Sequence, residues 1–319
     1  MRKLSALFGV VLSLVSFGLF AHGKLNIDLS HPIPTYAPGG ENPLRPNLSK
    51  PFLDSRPVPT FGAQSVLTFG EFPTNQGHFS LGTIALAEQH GTHLLSASHY
   101  VNNAESLEEG FPPAEERKRM HQLTAADLIG HAVLVDISAR VEKELARNGG
   151  MPSPDRSVTD FSETSPNVVT ADDISAVEKR IRDGVWIVIN TGWSKFYFSG
   201  NDFAKDPYIN GFNHPGMSKA SIDKLIEIMQ RKGVLIGGII ADNIGIVSGQ
   251  SAAGDDDKWT NSWYGHVRLL QRGVKFVANA NNLGQLAQAE NPGRCTIVVG
   301  ALKHIAGTGG PARVFALCP

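Results

Sequence analysis

Glu88-Gln89-His90-Gly91-Thr92-His93-Leu94-Leu95-Ser96-Ala97-Ser98-His99-Tyr100 is the densest run of chemically able side chains in the sequence. Three histidines, His90, His93 and His99, fall within ten residues. If 93–99 is extended, positions 93, 95, 97 and 99 share one face, and His93 and His99 point the same way. Neutral imidazole is the commonest metal ligand and a good acid or base near neutrality. Ser96 and Ser98 lack the glycines of a nucleophile elbow, so they read as strand residues. Spacing alone leaves two readings open, a site or a set of satisfied histidines.

Outward from this stretch the chain alternates buried strands with amphipathic helices. Short strand candidates lie at 65–69 and 79–87. Val133-Leu134-Val135-Asp136-Ile137, Val185-Trp186-Ile187-Val188-Ile189-Asn190, Val234 to Ala241 and Val274 to Ala278 read as buried strands. Thr170-Ala171-Asp172-Asp173 caps a helix of about 12 residues ending near Gly184. Ser218 to Lys232 is amphipathic, with Ile222, Leu225, Ile226 and Met229 on one face and Gly233 as its stop. Ser262 to Arg272 reads as a short helix, and the charged stretch 104–121 as a solvated helix or loop. The mixture predicts an α/β (mixed α+β) fold. No repeat or linker divides it, so 24–319 reads as one domain.

The ends of the chain speak to compartment. Arg2 and Lys3 precede an uncharged apolar run, Leu4 to Phe20, and Ala21-His22-Gly23 offers small residues before a cut at Lys24. Residues 1–23 therefore read as a signal peptide, and the mature protein as periplasmic or secreted. Losing Arg2 and Lys3 takes the formal charge from −1 to −3. That balance excludes a nucleic-acid partner, which needs a basic face, and no later stretch is apolar enough to span a membrane. Residues 24–61 form an extended, proline-rich arm that opens on Leu25-Asn26-Ile27-Asp28-Leu29. Cys295 opens one apolar run and Cys318 closes another, with Gly307-Thr308-Gly309-Gly310 between them. If the runs pair as a hairpin, the cysteines meet at its open end. An oxidising compartment then permits a disulfide, with two buried thiols as the alternative.

Across the mature chain the sequence resembles the cyclase family of metal-dependent hydrolases, the group with bacterial kynurenine formamidase and isatin hydrolase. Gln89-His90-Gly91-Thr92-His93-Leu94-Leu95-Ser96-Ala97-Ser98-His99 is similar to the family motif H-x-G-T-H-x-D-x-P-x-H. Asp28-Leu29-Ser30-His31, Asn213-His214-Pro215-Gly216, His266-Val267-Arg268 and His304-Ile305-Ala306-Gly307-Thr308-Gly309-Gly310-Pro311 follow in family order. The resemblance implies a swivelling β/β/α fold, a homodimer or homotetramer, and a small-molecule substrate. It also implies metal ligands at the motif's first His, second His and Asp, at a later His, and at a Glu twelve residues beyond that. Here those positions are Gln89, His93, Leu95, His266 and Ala278. The motif's last His, which acts near the bound water, is His99.

With Leu95 and Ala278 in place of carboxylates, a two-metal centre would hold about four positive charges with nothing to offset them. One divalent ion, zinc or manganese, on His93 and His266 remains an expectation. His99 is then either a third ligand, giving a three-imidazole zinc site, or the catalytic acid–base. Gln89, His90 and Asp242 are further candidates if the loop is shifted by one residue. Phe61, Trp193, Phe196, Tyr197 and Trp263 are candidate aromatic walls of the substrate pocket. The leading reading is an exported hydrolase cleaving an amide, formamide, lactam or lactone by metal-activated water. The alternative is a metal-free relative that binds a small ligand in the inherited pocket.

Overall fold

The structure, a computed structural model, describes residues 24–31, 66–74, 77–85, 87–101, 107–153, 164–197, 207–210, 213–250 and 263–319. The expected signal segment, most of the proline-rich arm and Phe61 lie outside them. The strands are β1 (Leu25–Asp28), β2 (Val66–Thr74), β3 (Gly77–Ala85), β4 (His93–Leu95), β5 (Ile129–Asp136), β6 (Val168–Val169) and β7 (Trp186–Asn190). They continue as β8 (Asn213–His214), β9 (Gly216–Met217), β10 (Gly238–Ala241), β11 (Gly249–Gln250), β12 (Lys275–Ala278), β13 (Thr296–Ala301) and β14 (Gly309–Cys318). The helices are α1 (Ala125–Leu128), α2 (Ser138–Arg147), α3 (Ala171–Val177), α4 (Lys219–Lys232) and α5 (Leu283–Ala287).

Eight strands make one sheet in the order β1-β14-β13-β5-β7-β10-β12-β4, and β14 also pairs with β4. That second pairing closes the sheet into a barrel. Its parallel segment is β5-β7-β10-β12. β7, β10 and β12 are buried on both faces, which explains their continuous apolar runs, while β5 is buried through its middle and exposed at its ends. Ile187, Ile189, Ile239 and Phe276 join a cluster with Val141 and Leu145 of α2, Ile174 of α3, and Ile222, Leu225 and Ile226 of α4. The alternate residues Trp186, Val188, Ile240 and Val277 join a second cluster with Ile297, Val299, Val314 and Ala316. One layer is thus the barrel interior and the other lies between barrel and helices. The expected α/β class is observed.

Two backbone details make this packing possible. A Cβ on Gly238 would lie 2.4 Å from the Trp186 ring and 2.6 Å from the Lys275 carbonyl oxygen, so only glycine admits the indole. The α4 helix starts where the Ser218 hydroxyl accepts from the Ser221 N–H and stops at Gly233, whose φ is 63°. β13 and β14 form the expected hairpin, with Thr296 opposite Leu317. A disulfide joins Cys295 and Cys318 at its open end.

Some elements differ from their sequence pattern. The helix after Thr170 is shorter than expected: α3 ends at Val177 and a 3-10 turn, Glu178–Arg180, follows. The expected helix before Arg272 is a π-helical turn over His266–Leu270. The charged stretch is not simply solvated, because Arg117 is buried and donates to the carbonyls of Pro112 and Tyr100. The motif strand stops at Leu95, and the chain turns so that the His99 N–H donates to the Ser96 carbonyl.

Candidate functional site

His93 is placed by its neighbours on three sides. Gly91 turns the chain with φ 64°. The Thr92 hydroxyl donates to the Asn279 carbonyl and accepts the His31 N–H at 2.8 Å. Asn279, at φ 55°, donates from Nδ2 to the Gly91 carbonyl at 2.8 Å. His93 Nδ1 bonds the same carbonyl at 2.9 Å, which fixes the proton on Nδ1 and leaves Nε2 as a lone pair. Burial holds the His93 imidazole neutral, down to a pKa of about 4.

His266 comes from the π-helical turn and meets the same face. Its ring packs edge-on against Phe276 at 5.2 Å and Trp263 at 4.9 Å, with Tyr100 at 6.4 Å. Burial drives its pKa down to about 3, and the nearby His99 and His93 oppose its charging further. Its buried Nδ1 has no hydrogen-bond partner. His99 is likewise lowered by burial, against a raising influence from Glu88. His90 is buried, lowered by burial, and its Nε2 has no partner. The structure therefore brings His93, His99 and His266 close enough that protonation of either neighbour disfavours protonation of His266.

The carboxylate positions can be checked by register. Ala278 lies opposite His93, and Phe276 opposite Leu95, in the β12–β4 pair. Directly opposed residues share a face, as do residues two apart. His93, Leu95, Phe276 and Ala278 thus line one surface, where Leu95 is 6% and Ala278 2% exposed. Gln89 Nε2 and Leu95 both crowd the place a Cβ on Gly309 would take, at 3.2 and 3.1 Å.

Other sequence candidates have different duties. Asp242 accepts from the Thr191 N–H and hydroxyl with one oxygen and from the Trp193 N–H with the other. Its carboxyl is pushed up to about 6 by burial. Trp193 donates its indole N–H to the Tyr208 carbonyl and lines a cavity of about 180 Å³ with Leu145, Asn167, Asn210 and Pro215. Trp263 does meet His266, ring edge to face at 4.9 Å. Sequence reading missed Glu88, Thr308 and Asn279. Glu88 adjoins the motif and Thr308 sits in the glycine-rich turn; their pairing has no local signal.

A family model described as putative cyclase matches residues 27–245 of the 319. The chain belongs to the cyclase family. Among solved structures, isatin hydrolase A from Ralstonia solanacearum is 19% identical, with 99% of this chain and 100% of that one covered at a TM-score of 0.60. An isatin hydrolase bound to the product analogue thioisatinate is 22% identical, with 93% of each chain covered at 0.59. A structure described as a novel cyclase is 17% identical, covering 92% and 88% at 0.57. At these identities the likeness is one of fold. Against curated protein sequences there is no significant match.

The metal centre that the cyclase resemblance implies can be tested on the donors present. His93 suits a metal, since Nδ1 is tied to a carbonyl and Nε2 is bare. The orphaned Nδ1 of His266 also suits one. Both carboxylate positions, however, are buried and apolar. Among the described residues no group of three or more His, Cys, Asp or Glu is arranged to hold an ion. The motif strand ends at Leu95, and His99 Nδ1 lies 3.3 Å from the Thr308 hydroxyl, so His99 comes from the turn after the strand and not from the shared strand face that the spacing predicts. The described residues do not fit the family's two-metal centre. They fall short of the three protein ligands of a catalytic zinc.

Proposed function

We propose that this cyclase-family chain hydrolyses a C–N or C–O bond of a small amide, formamide, lactam or lactone, with an arylformamidase-like reaction, and that His99 is its base. The observation that carries this reading is the gathering of three imidazoles, His93, His99 and His266, held neutral by burial and near enough for His99 and His93 to act on His266. Ionisable groups perturbed by burial and by one another are what catalytic sites are built from. A neutral imidazole accepts a proton from water as the water oxygen bonds the carbonyl carbon. The C–N or C–O bond then breaks as that proton passes to the leaving atom. His266, whose buried Nδ1 has no hydrogen-bond partner, packs against Trp263 and Tyr100, which offer apolar walls. A zinc or manganese ion would find His93 and His266 as donors. The proton movements above use the chain's own groups alone. The segment 1–23 supports a periplasmic or secreted location, and the family resemblance supports a homodimer or homotetramer.

A second reading, a metal-free binder of a small carbonyl compound, is favoured by Leu95 and Ala278, which leave the pocket without a carboxylate at either position. One experiment separates the two. The purified mature protein is assayed for metal content and for hydrolysis of a formamide, lactam and lactone panel, with and without added zinc or manganese. Turnover that His99→Ala lowers by about 100-fold or more supports the hydrolase. No turnover under any condition, with saturable binding of a panel compound by calorimetry, replaces it with the binder.

A further inference from the structure

Glu88 is the one acid that acts electrostatically on His99 among its resolved influences, and its surroundings are unusually complete. One carboxylate oxygen accepts from the Thr308 N–H at 3.2 Å, the Thr308 hydroxyl at 3.0 Å and the Gly309 N–H at 3.0 Å. The other faces His304 Nε2 at 2.8 Å. The His304 ring occupies the space a side chain at Gly307 would need, since a Cβ there would lie 2.0 Å from Nε2. The turn is therefore shaped to deliver both His304 and Thr308 to Glu88.

Thr308 has a single hydroxyl proton, and the carboxylate takes it. The hydroxyl oxygen is left as an acceptor toward His99 Nδ1, 3.3 Å away. The backbone makes the same connection twice more, because the Thr308 carbonyl accepts the Ser96 N–H and the Ser96 hydroxyl, each at 2.8 Å. The His99 N–H in turn donates to the Ser96 carbonyl at 3.0 Å. A segment more than 200 residues away thus holds the end of the motif.

We infer that Glu88, acting through the Thr308 hydroxyl, is a positioning residue that keeps the proton of neutral His99 on Nδ1 and presents Nε2 as the base. This deepens the hydrolase reading and rests on it. An acceptor-only carboxylate forces the direction of the relay: Thr308 can donate only one proton, so it meets His99 as an acceptor. A neutral amide at position 88 removes that compulsion. The hydroxyl is then free to donate to Nδ1, which would move the imidazole proton to Nε2 and blunt the base. The orienting acid of a catalytic triad works by the same logic.

The test has an arm that needs no turnover. Long-range proton–nitrogen NMR of labelled protein at neutral pH reads the tautomer of His99, assigned by the resonances lost in His99→Asn. Wild type is expected as Nδ1–H. Thr308→Val and Glu88→Gln are expected to move the proton toward Nε2, and Thr308→Ser, which keeps the hydroxyl, to restore the wild-type signature. In the kinetic arm, Thr308→Val is expected to lower kcat about tenfold or more with KM changed less than about threefold, and Thr308→Ser to recover most of it. An unchanged tautomer in Thr308→Val overturns the inference, as does a changed tautomer with unchanged kcat. If wild type turns over nothing but the tautomer responds as stated, the relay stands and the hydrolase reading fails. If Glu88→Gln does not fold, the Thr308→Val and Thr308→Ser pair decides alone.

Discussion

Replacing both Cys295 and Cys318 by alanine should destabilise the protein without disturbing the imidazole site. The bond closes a loop across a sequence separation of 23. The chain-entropy relation, −2.1 − 1.5R ln n, gives about 11.4 cal/mol/K for that loop, or about 3.4 kcal/mol at 25 °C. Both side chains are buried in the barrel interior with Ile297, Val299, Val314 and Ala316. Removing two buried sulfurs leaves space that adds about 1 kcal/mol. The expected total is a loss of about 3–5 kcal/mol, or a Tm lower by roughly 5–10 °C. Urea unfolding of the double variant against wild type measures it. Free energies at zero denaturant are compared, since the uncrosslinked unfolded chain exposes more surface and raises m. The site should be spared, because the cysteines sit at the open end of the hairpin, whereas Thr308 precedes its first strand pairs with β4. A loss under about 1 kcal/mol would refute the reasoning. So would two titratable thiols in unreduced, unfolded wild type.

Acid should unfold the protein between pH 6.5 and 4. Fully buried His214 is lowered from 6.5 to about 4 by burial, so its stabilisation is complete above 6.5 and is lost as pH falls toward 4. The unfolded chain takes up the proton first, which costs about 2 kcal/mol by pH 5 from this residue alone. His31, His93 and His266 act in the same direction. A pH series of urea midpoints that stays flat from 7 to 5 would contradict this. Gly238→Ala should cost about 1–3 kcal/mol, because the methyl group meets Trp186 and the Lys275 carbonyl below contact distance; an unchanged Tm would mean the barrel interior relaxes freely. Leu95→Asp should lose about 3 kcal/mol or more by burying an unpaired carboxylate beside Phe276. With Ala278→Glu added, manganese should raise the Tm of the double variant and not of wild type. Equal shifts in both would show that wild type already holds the ion.

The central parallel strands β7, β10 and β12 were legible because they are buried on both faces. Val185 to Asn190 needs no context to read as a central strand, and the structure places it there as β7. The β13–β14 hairpin was legible from two apolar runs about a glycine-rich turn. The reach of His99 was not. Alternation extends the motif strand through His99, but Ser96 is held by Thr308, 212 residues away in sequence. Glu88 was equally opaque, since its role depends on three donors from that same turn. Closure of the sheet by β14 on β4 has the same origin. A pattern of local periods cannot report a contact set by two distant segments.

The side chains on the His93 face set what proton chemistry the pocket can do. The register that places Ala278 beside His93 and Leu95 beside Phe276 is the one a ligand set would need. The scaffold thus presents that register with leucine and alanine at the two positions where the resemblance implies carboxylates. A site without carboxylates offers no counter-charge to a cation. The remaining imidazoles can stay buried only if they stay neutral, which is the direction burial imposes on His93, His99 and His266. Among the described residues, the carboxylate that favours charge on His99 is Glu88, and its oxygens are engaged by Thr308, Gly309 and His304. Proton transfer at this site is thereby left to a neutral imidazole whose orientation, more than its charge, the surrounding chain controls.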